Sequence, residues 1–198
     1  MSDTAEWRLP LLNGADFLSF RRLNVAVIGL EQAKEPFMND RQDILEVLAR
    51  YVRAFEKRDG DALAALFAPD GELQVFSRYG REEYVALDAD RVGDDALRAM
   101  VNSGTLPPGR GMHYLTTDHI VDITGDEATL QAQFVVVGSN ANPRPENGWP
   151  AGADLMQGKL APIMIGHYES RLRKIGDSWL FTRHQVKHSL PMALPVKS

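Results

Sequence analysis

Two residues could do acid–base chemistry. In GRGMHYLTTDHIVDI (109–123), His113 stands at the start of a strand-like run, just after a turn rich in Pro and Gly. A neutral imidazole there can take a proton from a substrate if it is held in the right tautomer. From the residues alone, His113 is equally an ordinary polar group at a strand end. Glu56 follows an apolar helical stripe, one turn beyond Val52. At about 100° per residue it falls on the stripe's edge, where a carboxylate can lean inward or reach water.

Other polar groups offer less. His119 shares strand parity with His113 if no bulge intervenes, but lies about 20 Å along the strand, too far for the same pair. His167 and Glu169 share one strand face, as do His184 and His188. Such spacings can hold a metal, but no acidic cluster accompanies them, so no metal site is expected. The absence of cysteine excludes thiolate chemistry, disulfide scaffolds and sulfur-based zinc sites. It also fits a reducing compartment.

The positioning elements read as follows. NDRQDILEVLARYVRAFEKRD opens the first strong helix, with Asn39 and Gln42 at capping-box spacing. Ile44, Leu45, Val47, Leu48, Tyr51, Val52 and Phe55 form its apolar stripe. Asp59 or Asp61 can cap a short helix through Leu63, Leu66 and Phe67, ended by Pro69, Asp70 and Gly71. ELQVFSRYG is a strand, carrying Val75, Phe76 and Tyr79. DDALRAMVNSG is a third helix with Gly104 as its C-cap. Then the period becomes two. MHYLTTDHIVDIT and ATLQAQFVVVG, with Phe134, form one hairpin, and IMIGHYESRLRKI and WLFTRHQVKH form another. Between the hairpins lies the loop 139–162, rich in Gly, Pro and Asn, either a lid or a disordered insertion.

The order predicts an α+β fold: a curved antiparallel sheet with helices packed on one face. A strongly bent sheet closed by a helix makes a cone whose apolar interior suits a small molecule. Residues 39–190 form this domain, residues 1–38 an extension, and residues 191–198 a tail. LNVAVIGL (23–30) reads as a strand or a subunit-contact arm, and is too short to span a bilayer. Asp3, Glu6 and Asp16 ahead of it, with no small-residue cleavage site, argue against a secretory signal peptide. With net charge −5 and no long basic run, neither nucleic acid nor membrane is an expected partner, and a cytoplasmic location is.

RYVRAFEKRDGDALAALFAPDGEL resembles the helix–helix–strand opening of the nuclear transport factor 2-like superfamily, in its SnoaL-like branch. HYESRLRKIGDSWLFTRHQ resembles that family's closing hairpin. The resemblance covers about residues 39–190 and implies the cone-shaped, cystatin-like fold. The opening is similar to ketosteroid isomerase, whose oxyanion-hole tyrosine matches Tyr51. The general-base aspartate of that enzyme falls at Val75, which cannot take a proton. Scytalone dehydratase and hexachlorocyclohexane dehydrochlorinase use a strand-start histidine paired with an aspartate near the end of the first helix. MHYLTTD resembles that histidine context at His113, and the aspartate matches Glu56. A second active-site histidine of the dehydratase falls near Gly138 and is absent. Its water-binding tyrosine falls near Val75, with Phe76 and Tyr79 close by.

The resemblance thus implies a cofactor-independent lyase, with His113 as base and Glu56 orienting it. The expected substrate is small and mostly apolar or aromatic, contacted by Tyr51, Val75, Phe76, Tyr79 and Phe134 and covered by Trp149 and Met156. It also implies a homodimer or homotrimer. Two alternatives stay open: a non-catalytic binding or assembly module of the same fold, and an isomerase or cyclase using another acid such as Asp118.

Overall fold

The computed structural model describes residues 24–80, 83–87, 91–102 and 106–192, with side chains from residue 39 onward. The chain divides into two compact units, residues 1–39 and 40–198. The described backbone of the first is helical from residue 24. LNVAVIGL is therefore helix and not strand in its described part. Helix α1 runs Asn24–Lys57 without a break. Asn39 lies inside it rather than at its cap, because the good helix formers Leu30 to Lys34 extend the pattern upstream.

In the second unit α1 buries Ile44, Val47, Leu48, Tyr51 and Val52, the stripe expected from the spacing. Asp59 caps α2 (Gly60–Ala64), its carboxylate accepting from the Ala62 amide at 2.9 Å. Phe67 belongs not to that helix but to strand β1 (Phe67–Tyr79). Pro69, Asp70 and Gly71 form an irregularity inside β1, where its pairing with the last strand shifts between Phe67 and Glu72. Gly71 is required there, since a Cβ would stand 2.6 Å from the Phe181 carbonyl oxygen.

Next come β2 (Glu83–Ala86), β3 (Arg91–Val92) and α3 (Asp94–Asn102). The expected cap Gly104 lies outside the described residues. The two hairpins follow as read: β4 (Arg110–Thr124) with β5 (Glu127–Ala141), and β6 (Gly158–Ile175) with β7 (Ser178–His188). Strand β5 reaches Ala141 and β6 begins at Gly158, so the connection is 142–157, shorter than the sequence suggested. The sheet order is β2-β1-β7-β6-β5-β4, with β3 also on β1. Neighbours are antiparallel except β1 with β7. The result is a curved, unclosed sheet with helices on its concave side.

Alternation decides which side chains meet the helix. On β5, Ala128, Leu130, Ala132, Phe134 and Val136 are buried, and their neighbours face outward. Strands β6 and β7 add Tyr168, Leu172, Trp179, Phe181, His184 and Val186.

Polar contacts tie α1 down. The Asp40 carboxylate accepts from Lys174 Nζ at 2.6 Å and Trp179 Nε1 at 3.0 Å, at the turn end of β6 and β7. The lysine bond, then the indole bond, holds the Asp40 carboxyl below its ordinary range. Arg41 donates to the carbonyls of His119 and Val121 on the free edge of β4. Glu56 accepts from the Tyr114 amide of β4 at 3.0 Å and from Arg53 at 3.0 Å.

His184 sits at the core's centre, fully buried, against the rings of Tyr51, Phe181 and Tyr168. Its Nδ1 bonds the Ser170 hydroxyl at 2.8 Å, and its Nε2 has no partner. Burial lowers its pKa from 6.5 to about 3.

Two outcomes follow. Asp40→Ala leaves the indole N–H without its acceptor and should cost about 1–3 kcal/mol in urea unfolding at pH 7. His184 stays neutral when folded but gains a proton when unfolded. Stability should therefore fall as pH drops below about 6.5, with a slope reaching about 1.4 kcal/mol per pH unit. His184→Leu should make that slope shallower between pH 6.5 and 4.5, above the carboxylate range, leaving the part that the buried His188 supplies. An unchanged slope in the variant would assign it elsewhere.

Candidate functional site

A cavity of about 310 Å³ opens between α1 and the concave sheet. That is the small end of the usual ligand-pocket range, roughly 300–1,000 Å³. Tyr51 and Phe55 of α1 line it together with Tyr114, Phe134 and Tyr168 of the sheet. Val75, Val136 and Val186 fill the remaining floor, and Met100, Met164 and Met192 add flexible thioethers. Its polar side chains are the three tyrosines, Arg91 and His188; no carboxylate lines it among the described residues.

The tyrosines stay protonated. Burial raises the pKa of Tyr51 well above its ordinary value, and does the same for Tyr168. For Tyr114, burial again leads and the nearby Glu56 charge adds to it, against an opposing pull from Arg58. Each can therefore donate a hydrogen bond to a ligand oxygen. His188 is 8% exposed, and burial lowers its pKa below 6.5, so its ring is neutral at pH 7.

The expected histidine–carboxylate pair does not form. His113 is exposed and does not line the cavity; Met112 and Tyr114 turn inward instead. A Cβ on Gly111 would lie 2.7 Å from Ser139 Oγ and 3.5 Å from His113 Nε2, which places all three on the outer face. A one-residue difference in register puts every side chain of a strand on its other face. Glu56 bonds the amide of Tyr114, the residue after the histidine, and does not line the cavity. Strand β4 is bulged before His119: pairing shifts between Thr117 and Ile120, around Asp118 at φ 53°. His119 then bonds Thr116 at 3.0 Å. Asp118 is exposed and accepts from Thr117, so it is no cavity acid.

Of the expected contacts, Tyr51, Val75 and Phe134 line the cavity. Phe76 does not, since it follows Val75 on the strand and takes the opposite face. Tyr79 is 44% exposed and donates from its hydroxyl to the Met192 carbonyl at 3.1 Å. Trp149 and Met156 also lie off the cavity, and Met156 is 84% exposed. The loop that carries them does not cover the site here.

Sequence reading missed His188 and Met192. The shared face of His184 and His188 was visible, but it suggested only a metal spacing. Met192 enters because the chain after β7 is pinned: the Ser77 hydroxyl accepts from the Met192 amide at 2.8 Å and donates to the Leu190 carbonyl at 3.0 Å. Nothing in the local sequence signals a hook 115 positions away.

Among the described residues no helix is long and apolar enough to cross a membrane. No curated protein matches the chain. Solved structures do. An NTF2-like protein with a cystatin-like fold from Novosphingobium aromaticivorans aligns with TM-score 0.57 at 22% identity, over 88% of this chain and 92% of that one. A putative scytalone dehydratase from the same organism gives 0.58 at 16%, over 83% and 94%. The β subunit of a putative aromatic-ring-hydroxylating dioxygenase, also from that organism, gives 0.59 at 13%, over 80% and 95%. At these identities the likeness shows the fold. The SnoaL-like domain family matches residues 36–185, three quarters of the sequence, and the chain belongs to that family.

Proposed function

We propose that this protein is a cofactor-independent lyase that binds a small, mostly apolar or aromatic molecule in the cone. Elimination of water or halide, or a retro-aldol-type cleavage, begins there with proton abstraction by an imidazole. The observation that carries this reading is the cavity itself: an apolar, ring-walled chamber with protonated tyrosines and a neutral histidine in its wall. In such a poorly screened interior, hydrogen bonds to a developing oxyanion gain strength. The family context supports the class of chemistry, since one fold relative is described as a putative scytalone dehydratase. Tyr51 serves as a donor to substrate oxygen.

A second reading has its own support. Another fold relative is described as the β subunit of a putative dioxygenase, and a subunit of that kind suggests an assembly module with a relic cavity. Turnover with any ligand that fills the cone separates the two.

The proposal includes a homo-oligomer. On the outer sheet face Leu115, Val135 and Ile165 form one cross-strand row, with Leu115 60% and Ile165 48% exposed. A second copy would cover this row.

Val75→Trp should fill the chamber and weaken binding of a small aromatic ketone at least tenfold, measured by calorimetry, while the unfolding midpoint stays close to wild type. Unchanged affinity would place the ligand elsewhere. Leu115→Lys should lower the molar mass seen by light scattering toward that of one chain; an unchanged oligomer would remove this face from the contact.

A further inference from the structure

We infer that His188, in the wall of the cone, exchanges a proton with the bound ligand. The inference rests on the reading of the cone as the ligand chamber. It adds the residue and the chemistry required of the ligand: a neutral molecule with an acidic C–H next to apolar surface.

The placement follows from backbone register. Phe134, Gly166 and His188 stand side by side on β5, β6 and β7. Gly166 has no side chain between its neighbours, and a Cβ there would lie 2.8 Å from the Phe134 ring. The Phe134 ring fills that gap and meets the His188 ring edge-on, at 5.6 Å and 86°. A core aromatic therefore sets the plane of the imidazole. His188 closes β7, and the pinned segment that follows carries Met192 into the same cavity wall.

The imidazole is also uncommitted. Neither ring nitrogen of His188 has a hydrogen-bond partner among the described residues, unlike His184 with Ser170 and His119 with Thr116. Tyr51, Tyr114 and Tyr168 line the same chamber, and none of their hydroxyls has a protein partner among the described residues. One wall thus holds an acceptor for a proton, and others hold donors for an oxygen.

The step balances without a co-reactant. The C–H bond of the ligand breaks and its proton binds an imidazole nitrogen. The electron pair moves onto the adjacent carbonyl to give an enolate, whose oxygen a tyrosine hydroxyl can bond. Among the described residues no carboxylate lines the chamber to hold the imidazolium. The ion pair is therefore short-lived, and the proton either returns or leaves with a leaving group.

The test uses 2-tetralone, a fused-ring ketone with an acidic C–H, in D₂O with the full chain. Methyl-¹³C methionine labelling reports occupancy through Met100, Met164 and Met192, independently of chemistry. NMR follows deuterium entering the ketone. The expected result is saturable exchange faster than buffer in the wild type, reduced about 10²-fold or more in H188Q while the methionine shifts persist. H113Q, on the outer face, should exchange like wild type. In the wild type the His188 imidazole signal should move on titration, a readout that does not depend on the variant folding. Occupied methionines with equal exchange in wild type and H188Q, or with a motionless His188 signal, would overturn the role of His188 and leave the chamber reading intact. Unshifted methionine signals at saturating ketone would overturn both.

Discussion

A free strand edge must find hydrogen-bond partners, and the way β4 finds them shapes the rest of this protein. Among the described residues strand β4 ends the sheet, so one side of its backbone lacks a neighbouring strand. Helix α1 supplies what is missing. Glu56 takes the Tyr114 amide, and Arg41 bonds two carbonyls further along, beyond the bulge at Asp118. Bonds to charged groups are worth about 1.5–3 kcal/mol when shielded and less when exposed, as at Arg41. At the turn end of β6 and β7, Asp40 holds both Trp179 and Lys174. The helix is thereby fixed across the concave face. Tyr51 and Phe55 become the roof of a chamber, and Tyr114 is turned into it.

The chemistry of the chamber follows from that closure. Burial keeps the tyrosines protonated and His188 neutral for the same reason: a charge has little to solvate it there. The lining suits a neutral ligand whose oxygen can accept hydrogen bonds. It departs from the histidine–carboxylate arrangement of the lyases it resembles. Here the carboxylate of the first helix secures backbone, and an imidazole from β7, inside the sheet, faces the cavity. The family's scaffold is retained while the polar groups differ from the pair that the resemblance implies.

How much of this was legible depends on the kind of interaction. The hairpins β4–β5 and β6–β7 were readable because alternation and Gly-containing turns act locally. The stripe of α1 was readable for the same reason. Its true start was not: the run through residues 24–38 mixes β-branched residues with helix formers and a proline, and local preference does not decide it. The face of His113 was not legible either. Leu115 is 60% exposed, so both faces of β4 carry apolar residues and the pattern does not set register. The partner of Glu56 is a main-chain amide, which no residue type announces. His188 was visible as a residue sharing a face with His184, but only the Gly166 gap and the Phe134 ring give it a role.

Everything proposed for the chemistry requires the ligand to enter the chamber under α1. Crystals soaked with a bromine-labelled naphthyl ketone test it most directly, because anomalous scattering locates the bromine without reference to any protein contact. A single strong peak is expected between Met164, Tyr168 and His188. A peak only against the outer face, beside Leu115 or Leu160, with none inside, would contradict it.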